Sequence, residues 1–205
     1  MTQTNAISTG QFLRRLPNFL MSLPSLLKGI RMATNTDLTK PVGLALCFEE
    51  AVLKNPNGPA VISEGRSISY REMDSWANRI ANLLLSRGIE KGDSVAILLD
   101  NRPELLVSVL ACSKIGAVSA MLNTAQKGKV LAHSINIVSP KCIIAGEEHY
   151  DAFEKIRDKC ELKHHFYLHD GDTLAEIGSA PDHWENLAEL VQTQSSDNPG
   201  LTQSI

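Results

Sequence analysis

Three histidines and two aspartates near the carboxyl end are the residues of this sequence best suited to bind a metal ion. His164, His165 and His169 precede Asp170 and Asp172. Imidazole nitrogens and carboxylate oxygens bind zinc, but a closed zinc site needs four ligands at a stricter spacing. Alternation along a strand directs His165 and His169 to one face and His164 to the other. We therefore interpret the group as a partly exposed edge strand and its turn.

The sequence lacks the glycine-rich patterns that bind phosphate groups. The apolar run SVAILL is followed by Asp100-Asn101-Arg102-Pro103, so no glycine lets main-chain amides approach a dinucleotide pyrophosphate. No G-x-x-x-x-G-K-[ST] occurs, which excludes a Walker-type phosphate cradle. A nucleophile elbow is also missing, and we interpret His133 as a half-buried packing residue of a helix. We assign no catalytic, cofactor-binding or metal-binding residue.

Helices and strands are predicted to alternate along the middle of the chain. Apolar residues at helical spacing predict a helix in GLALCFEEAVLKNP, and β-leaning runs on either side of Glu64-Gly65-Arg66 predict a hairpin. The clearest pattern is a helix from Tyr70 to Arg87, for which Ser69 and Glu72 form a capping box and Gly88 provides the end.

The following segments predict a parallel sheet covered by helices. Apolar runs such as SVAILL and KCIIA are typical of strands buried on both faces. The sequence therefore predicts an α/β fold in three layers, with a mostly parallel sheet flanked by helices. The predicted elements are strand Ser94 to Leu99, helix Pro103 to Ile115, strand Ala117 to Leu122, helix Gln126 to Val138, strand Lys141 to Ala145, helix Glu148 to Cys160, strand His165 to Leu168 and a short helix Trp184 to Gln192.

Residues 1–36 differ from the remainder of the chain in charge. The net charge is -3, yet every charged side chain before Asp37 is cationic. The segment from Gln11 to Arg31 has the composition of a helix that lies in a membrane interface, and Pro17 and Pro24 predict two kinked pieces. Polar residues and prolines interrupt it, so it is not expected to span a bilayer or to be a secretory signal. We predict a basic leader on an anionic membrane surface; packing of the leader against the body is the alternative.

The composition indicates the cellular compartment and limits the classes of partner that the sequence predicts. Four cysteines lie far apart without a Cys-x-x-Cys pair, which favours reduced, buried thiols in a cytoplasmic protein. Residues 37–205 are acidic overall and aromatic residues make up only 5% of the chain, which argues against a nucleic-acid partner. Oligomerisation stays open.

A family resemblance is carried by residues 68–124, ISYREMDSWANRIANLLLSRGIEKGDSVAILLDNRPELLVSVLACSKIGAVSAMLNT. The order Tyr-Arg-Glu, Ala-Asn-Arg, Gly-x-x-x-Gly-Asp, Asn-x-Pro-Glu and Lys-x-Gly-Ala resembles the first conserved region of the adenylate-forming superfamily, which includes acyl-CoA synthetases, luciferases and peptide-synthetase adenylation domains. The continuation KVLAHSINIVSPKCIIA and the basic leader look most like the branch of fatty acid transport proteins and very-long-chain acyl-CoA synthetases.

The resemblance implies a two-step ligation by a parent enzyme that uses ATP, Mg²⁺ and coenzyme A. A fatty acid carboxylate attacks the α-phosphate of Mg-ATP to give acyl-adenylate and pyrophosphate, and the thiol of coenzyme A then displaces AMP. The family's phosphate-binding loop, rich in Ser, Thr and Gly, is not found in this sequence and is expected close to Ile205. We therefore expect residues 37–205 to be the first part of a larger domain, and the isolated chain to be inactive and not to bind ATP tightly.

A different class of function stays open at this point. The residues that carry the resemblance also form structure: Tyr70, Arg71 and Glu72 begin a helix, and Trp76 is expected in the core. The alternative is a non-catalytic α/β protein that binds lipid or serves as a scaffold. Acyl chain length is not predicted by either hypothesis.

Overall fold

The computed structural model describes residues 20–31, 43–169 and 178–200. The chain divides into two compact units, Met1–Lys40 and Pro41–Ile205. In the first unit, residues 20–31 form helix α1, which continues through Pro24. Pro24 therefore does not end the helix, because the φ that proline imposes is itself helical; the predicted kink at Pro24 stays a prediction. The predicted break at Pro17 lies outside the described residues.

The second unit begins with a helix and a hairpin. Helix α2, Leu44–Lys54, ends before Pro56, as predicted. Strands β1, Pro59–Ser63, and β2, Arg66–Ser69, pair antiparallel. Their turn places Glu64 at φ 50° and Gly65 at φ 78°, the left-handed region in which glycine is favoured. The predicted hairpin is confirmed.

Helix α3, Tyr70–Ser86, starts from the predicted capping box. The Glu72 amide donates to Ser69 Oγ at 3.3 Å, and the Ser69 amide donates to Glu72 Oε2 at 2.8 Å. The hydrogen bonds from the Ser69 hydroxyl and amide hold the pKa of Glu72 below its usual value. Two of the main-chain groups that a helix start leaves free are thus satisfied.

The rest of the unit is a parallel sheet with connecting helices. The elements are β3 Ser94–Leu98, α4 Pro103–Ile115, β4 Val118–Met121, α5 Gly128–Val138, β5 Cys142–Gly146, α6 Glu147–Glu154, β6 His164–Leu168, β7 Glu185–Asn186 and α7 Leu187–Gln192. The strand order is β4-β3-β5-β6-β7, and every pair is parallel. The predicted α/β fold is confirmed.

Alternate residues of each central strand enter two separate cores. Val95 and Ile97 of β3 pack with apolar residues of α2, α3, α4 and α7. Ala96 and Leu98 pack on the other face with residues of α5 and α6. This alternation follows from the period of two along a strand. It explains why SVAILL is apolar throughout and why the fold has three layers.

Two element predictions near the carboxyl end need correction. The predicted helix Glu148 to Cys160 is too long, because Ile156 leaves helical geometry at φ -129° and only a short 3₁₀ turn, Arg157–Lys159, follows. The predicted helix Trp184 to Gln192 starts only at Leu187, because Glu185 and Asn186 pair with Phe166 and Tyr167 of β6. Pairing to an open sheet edge prevails here over local helix propensity.

The cysteines are free thiols, but they are not uniformly buried. Cys112 and Cys142 are buried in the core, Cys160 is half-buried and Cys47 is exposed. Burial raises the pKa of Cys112 to about 12 and also raises the pKa of Cys142. The predicted burial is therefore wrong for Cys47, which lies on the outer surface of α2.

Candidate functional site

The order in which the strands are connected indicates one edge of the sheet as the candidate site. From β3 the chain passes through α4 to β4 on one side, and then through α5 to β5 on the other side of β3. The carboxyl ends of β3 and β5 therefore lie side by side at a topological switch point, where ligands of open α/β sheets bind. We call the side chains that follow β3, β5 and β6 the carboxyl-edge cluster: Asp100, Arg102, Glu104, Glu147, Glu148, His149 and His169.

Asp100 connects the end of β3 to the start of α6. Its main-chain amide donates to Glu148 Oε1 at 3.1 Å, and its carboxylate Oδ1 lies 2.9 Å from His149 Nε2. Gly146 makes this possible, since a Cβ at that position would lie 2.2 Å from Glu148 Oε2. A glycine at the end of β5 thus lets the Glu148 carboxylate fold back toward β3.

Arg102 connects three elements at the same edge. Its Nε donates to Glu104 Oε2 at 2.8 Å, and one terminal nitrogen donates to the main-chain oxygen of His169 at 3.3 Å. The other terminal nitrogen lies 3.9 Å from Glu148 Oε2. His169 Nε2 in turn lies 3.4 Å from Glu147 Oε2. The guanidinium therefore holds the ends of β3, β5 and β6 together.

The electrostatics of the carboxyl-edge cluster do not suit a phosphate. Arg102 pairs with Glu104 and Glu148, while Asp100 and Glu147 lie beside His149 and His169. The cluster thus contains four carboxylates and one guanidinium, so negative charge is in excess. Like charges repel strongly where they are partly shielded from water. In the described ranges, no glycine-rich turn at this edge presents a row of amides to an anion. These residues do not fit the triphosphate of ATP.

The cluster is better suited to a cation. One ligand atom from each of Asp100, Glu148 and His149 lies within 4.8 Å of the other two. Carboxylate oxygens together with an imidazole nitrogen are common ligands of divalent metals. No further such group of three occurs among the described residues. The sequence did not indicate this group of three residues, because Asp100 is 48 residues from Glu148.

The structure does not bring together the histidines considered from the sequence. His164 Nδ1 lies 3.3 Å from Glu185, whereas His165 packs against Phe153 and Trp184 on the opposite face of β6. Burial and then the Arg157 charge lower the pKa of His165. The opposed faces are confirmed, but β6 is not an edge strand, because β7 pairs with it. Asp170 and Asp172 lie outside the described residues.

Two further residues differ from their predicted environment. His133 is exposed on α5, so the half-buried packing role is wrong. Trp76 packs against the core, as predicted, but it is only half-buried and borders a groove of about 450 Å³ along α3. The groove is lined by Arg71, Glu72, Ser75, Trp76, Arg79, Val191 and Gln192.

The least expected feature is a lysine without solvent contact. Lys114 of α4 is 0% exposed, and its Nζ lies 2.8 Å from Glu49 Oε1 and 2.9 Å from Asp74 Oδ1. Its sequence environment, ACSKIGAV, is apolar on both sides, and Lys114 is the lysine of the Lys-x-Gly-Ala pattern in the family resemblance. A buried cation requires such partners.

Comparison with curated proteins shows relatives that ligate carboxylic acids to coenzyme A. The chain is 30% identical over 131 residues to the medium/long-chain-fatty-acid–CoA ligase FadD6 of Mycobacterium tuberculosis, covering 64% of this chain and 22% of that protein. It is 36% identical over 108 residues to the acetyl-coenzyme A synthetase of Emericella nidulans, covering 50% and 16%. The chain thus spans about a fifth of the length of these relatives.

Solved structures share the fold, and a family model matches most of the chain. The anthranilate CoA ligase AuaEII has a TM-score of 0.70 at 20% identity, covering 79% of this chain and 30% of that one. A putative long-chain-fatty-acid CoA ligase from Rhodopseudomonas palustris has a TM-score of 0.66 at 22% identity, covering 76% and 38%. The model described as AMP-binding enzyme matches residues 48–200. The chain belongs to the AMP-binding enzyme family, whose members include acyl-CoA synthetases.

Proposed function

We propose that this chain is the N-terminal portion of a long- or very-long-chain fatty acyl-CoA synthetase. The reaction is fatty acid plus ATP plus coenzyme A to acyl-CoA, AMP and pyrophosphate. The observation that carries the proposal is the family match over residues 48–200, which includes the whole Ile68 to Thr124 resemblance. The name of the FadD6 relative supports a fatty acid substrate, and the resemblance of residues 129–145 supports the fatty acid transport protein branch.

In this proposal the 205 residues are a scaffold and the reacting groups lie elsewhere in the parent enzyme. The parent would use ATP, Mg²⁺ and coenzyme A, and Mg²⁺ would neutralise charge on the reacting phosphates. The acidic carboxyl-edge cluster does not fit those phosphates, so we derive no catalytic step from it. The isolated chain is expected to bind no ATP tightly and to release no pyrophosphate.

The test of this proposal is a pyrophosphate-release assay on two proteins. One is the purified 205-residue chain, and the other is the protein expressed from its full reading frame. Oleate, palmitate and acetate are each supplied with ATP, Mg²⁺ and coenzyme A. We expect turnover of oleate or palmitate by the protein from the full reading frame only. Turnover by the 205-residue chain would contradict the scaffold role, and a preference for acetate would contradict the fatty acid assignment.

The second candidate is a non-catalytic α/β protein that binds lipid or serves as a scaffold. It is favoured by the excess negative charge at the switch point, where a nucleotide-binding protein of this fold would hold its ligand. The reading frame discriminates between the two. Continuation into a Gly- and Thr-rich phosphate loop supports the synthetase, and a stop after Ile205 supports the second candidate.

We also propose that residues 1–36 hold the protein peripherally at the cytoplasmic face of a membrane. The large apolar side chains of α1 support this, because Leu20, Met21, Leu26, Leu27 and Ile30 are all at least half exposed. Lys28 and Arg31 stand beside them and would contact anionic headgroups. None of the helices in the described ranges is long and apolar enough to cross a membrane.

Flotation with vesicles tests the membrane proposal. The full chain is compared with a chain that starts at Thr36, using vesicles of neutral lipid with and without phosphatidylserine. We expect only the full chain to float, and more of it with phosphatidylserine, because headgroup attraction adds to apolar insertion. Equal behaviour of the two chains would show that the leader does not bind membranes. Size-exclusion chromatography of the same samples would define the oligomeric state.

A further inference from the structure

A segment near the carboxyl end is held against helix α3 by its main chain. We call residues 191–198 the strap. Arg79 donates to the carbonyl oxygen of Gln194 at 2.7 Å, and Asn82 donates to those of Ser195 and Asp197 at 2.9 and 3.0 Å. These side chains of α3 donate to main-chain carbonyl oxygens of the strap. Two side chains of the strap add to these main-chain contacts: Val191 is buried in the core, and Asn198 donates to Glu49 Oε1.

A closed circuit of contacts joins the strap to the buried lysine. Asn78 Nδ2 donates to the carbonyl oxygen of Ser196 at 2.9 Å and to Asp74 Oδ2 at 3.2 Å. Asp74 Oδ1 and Glu49 Oε1 both pair with Lys114 Nζ. Asn198 Nδ2 completes the circuit by donating to Glu49 Oε1 at 2.7 Å. Besides the contacts of Arg79 and Asn82, the strap thus has two contacts, at Ser196 and Asn198, that lead to one cation.

Lys114 is the most buried residue of the circuit, so water cannot take over the contacts of its ammonium group. Its side chain is 0% exposed, whereas those of Glu49 and Asp74 are 24% and 19% exposed. Without the ammonium group, two partly exposed carboxylates on different helices would face each other with no cation between them. Each would move toward solvent, and each contributes to one of the two contacts, at Ser196 and Asn198, that link the strap to Lys114.

We propose that Lys114 is a positioning residue. By holding Glu49 of α2 and Asp74 of α3 to α4, it fixes the strap and the direction in which the chain continues after residue 200. Its influence on catalysis rests on the proposed synthetase function, because it assumes that reacting groups follow the strap. Its influence on the strap does not depend on that function.

Amide hydrogen exchange on the 205-residue chain tests the positioning of the strap. The proteins compared are wild type, Lys114→Met and Lys129→Met, the last altering an exposed lysine of α5 as the matched control. We expect strap amides of K114M to exchange at least about tenfold faster than in wild type, while amides of β3 and β5 keep their protection. Unchanged strap exchange in a folded K114M protein would overturn the proposal.

Substitution at Asn198 keeps the proposal testable if K114M does not fold. Asn198 is exposed, so Asn198→Ala and Asn198→Asp leave the core intact. N198A removes one contact of the circuit, and N198D places a second carboxylate beside Glu49. We expect the strap amides of both variants to exchange faster than those of wild type. At low salt the exchange should be faster in N198D than in N198A, and added salt should reduce this difference. Strap exchange that equals wild type in N198D would overturn the proposal.

Kinetics of the synthetase separate this inference from the proposed function. In the protein from the full reading frame, N198A should lower kcat and leave KM for the fatty acid unchanged, because a mispositioned strap affects the reacting geometry and not fatty acid binding. Faster strap exchange with an unchanged kcat would refute only the influence of the strap on catalysis. A wild-type protein without ligase activity would refute the proposed function and leave the result on the strap standing.

Discussion

Glu49 of α2 and Lys114 of α4 lie 2.8 Å apart although 65 residues separate them in the sequence. The contact joins two helices that pack on the same face of the sheet. Asp74 of α3 adds a third helix to the same ammonium group. Three helices of the apolar layer that supports the strap are therefore joined by one buried cation, while the opposite layer has apolar and aromatic contacts around Trp184.

Replacement of Lys114 by Met should destabilise the protein strongly. Breaking a buried ion pair leaves uncompensated carboxylates, and we expect a loss of about 3 kcal/mol in the free energy of unfolding, the lower end of the usual range, because both carboxylates keep some contact with water. Urea denaturation measures this. The exposed Lys129→Met control should stay within about 0.5 kcal/mol of wild type. A similar loss in both variants would show that the burial of Lys114 is not the cause.

Replacement of Ser69 by Ala should weaken the start of α3. The variant loses the side-chain oxygen that accepts from the Glu72 amide, and loss of an N-cap costs about 1 kcal/mol. Thermal denaturation followed by circular dichroism should show a lower Tm. Ser67→Ala, on the exposed side of β2, is the matched control and should leave the Tm unchanged. Equal Tm values for S69A and wild type would contradict the capping geometry.

The pH dependence of stability should contain a contribution from His165. Burial first, and then the Arg157 charge, lowers the pKa of His165 below its ordinary value of 6.5. The unfolded chain therefore binds the proton more readily, and stability falls as the pH drops below 6.5 toward the lowered folded pKa. Above that window His165 is neutral in both states and contributes nothing.

Urea unfolding at about pH 7.5 and pH 5.5 measures the contribution of His165. His165→Phe retains an aromatic contact with Trp184 and removes the titration, so H165F should lose less stability on acidification than wild type. His133→Gln, which alters an exposed histidine, should behave as wild type. Parallel losses in wild type and H165F would rule out the assigned role of His165.

Thiol labelling should divide the four cysteines by burial. We expect a maleimide to modify Cys47 rapidly and Cys160 more slowly in the native protein, while Cys112 and Cys142 react only after denaturation. The thiolate is the reactive form, and burial raises the pKa of both core thiols. Peptide mass spectrometry identifies the modified sites. Labelling of Cys112 in the native state would contradict the packing of α4 on the sheet.

The sequence predicted the helices and strands wherever local chemistry and burial agreed. The capping box of Ser69 and Glu72, Pro103 at the first turn of α4 and the apolar run of β3 each determine their element locally. Predictions failed where a distant strand decided the outcome, as for Glu185 and Asn186, which pair with β6. Helix α6 also ended earlier than predicted, at Glu154, and a short 3₁₀ turn follows it.

The candidate site was less predictable than the fold because it is assembled across strands. Asp100, Glu148 and His149 meet only through the switch point between β3 and β5, and no local pattern connects them. Lys114 similarly has both its partners on other helices. The family resemblance, by contrast, depends on residues that mostly form helix ends and turns. Such residues can be recognised from a short stretch of sequence.

The most direct test of the central claim is pyrophosphate release with oleate, ATP, Mg²⁺ and coenzyme A, measured in parallel on the 205-residue chain and on the protein from the full reading frame. The scaffold account predicts oleate-dependent release, with oleoyl-CoA and AMP as products, by the protein from the full reading frame and none by the 205-residue chain. Oleate-dependent release by the 205-residue chain, or a reading frame that yields only this chain with no ligase activity, would contradict it.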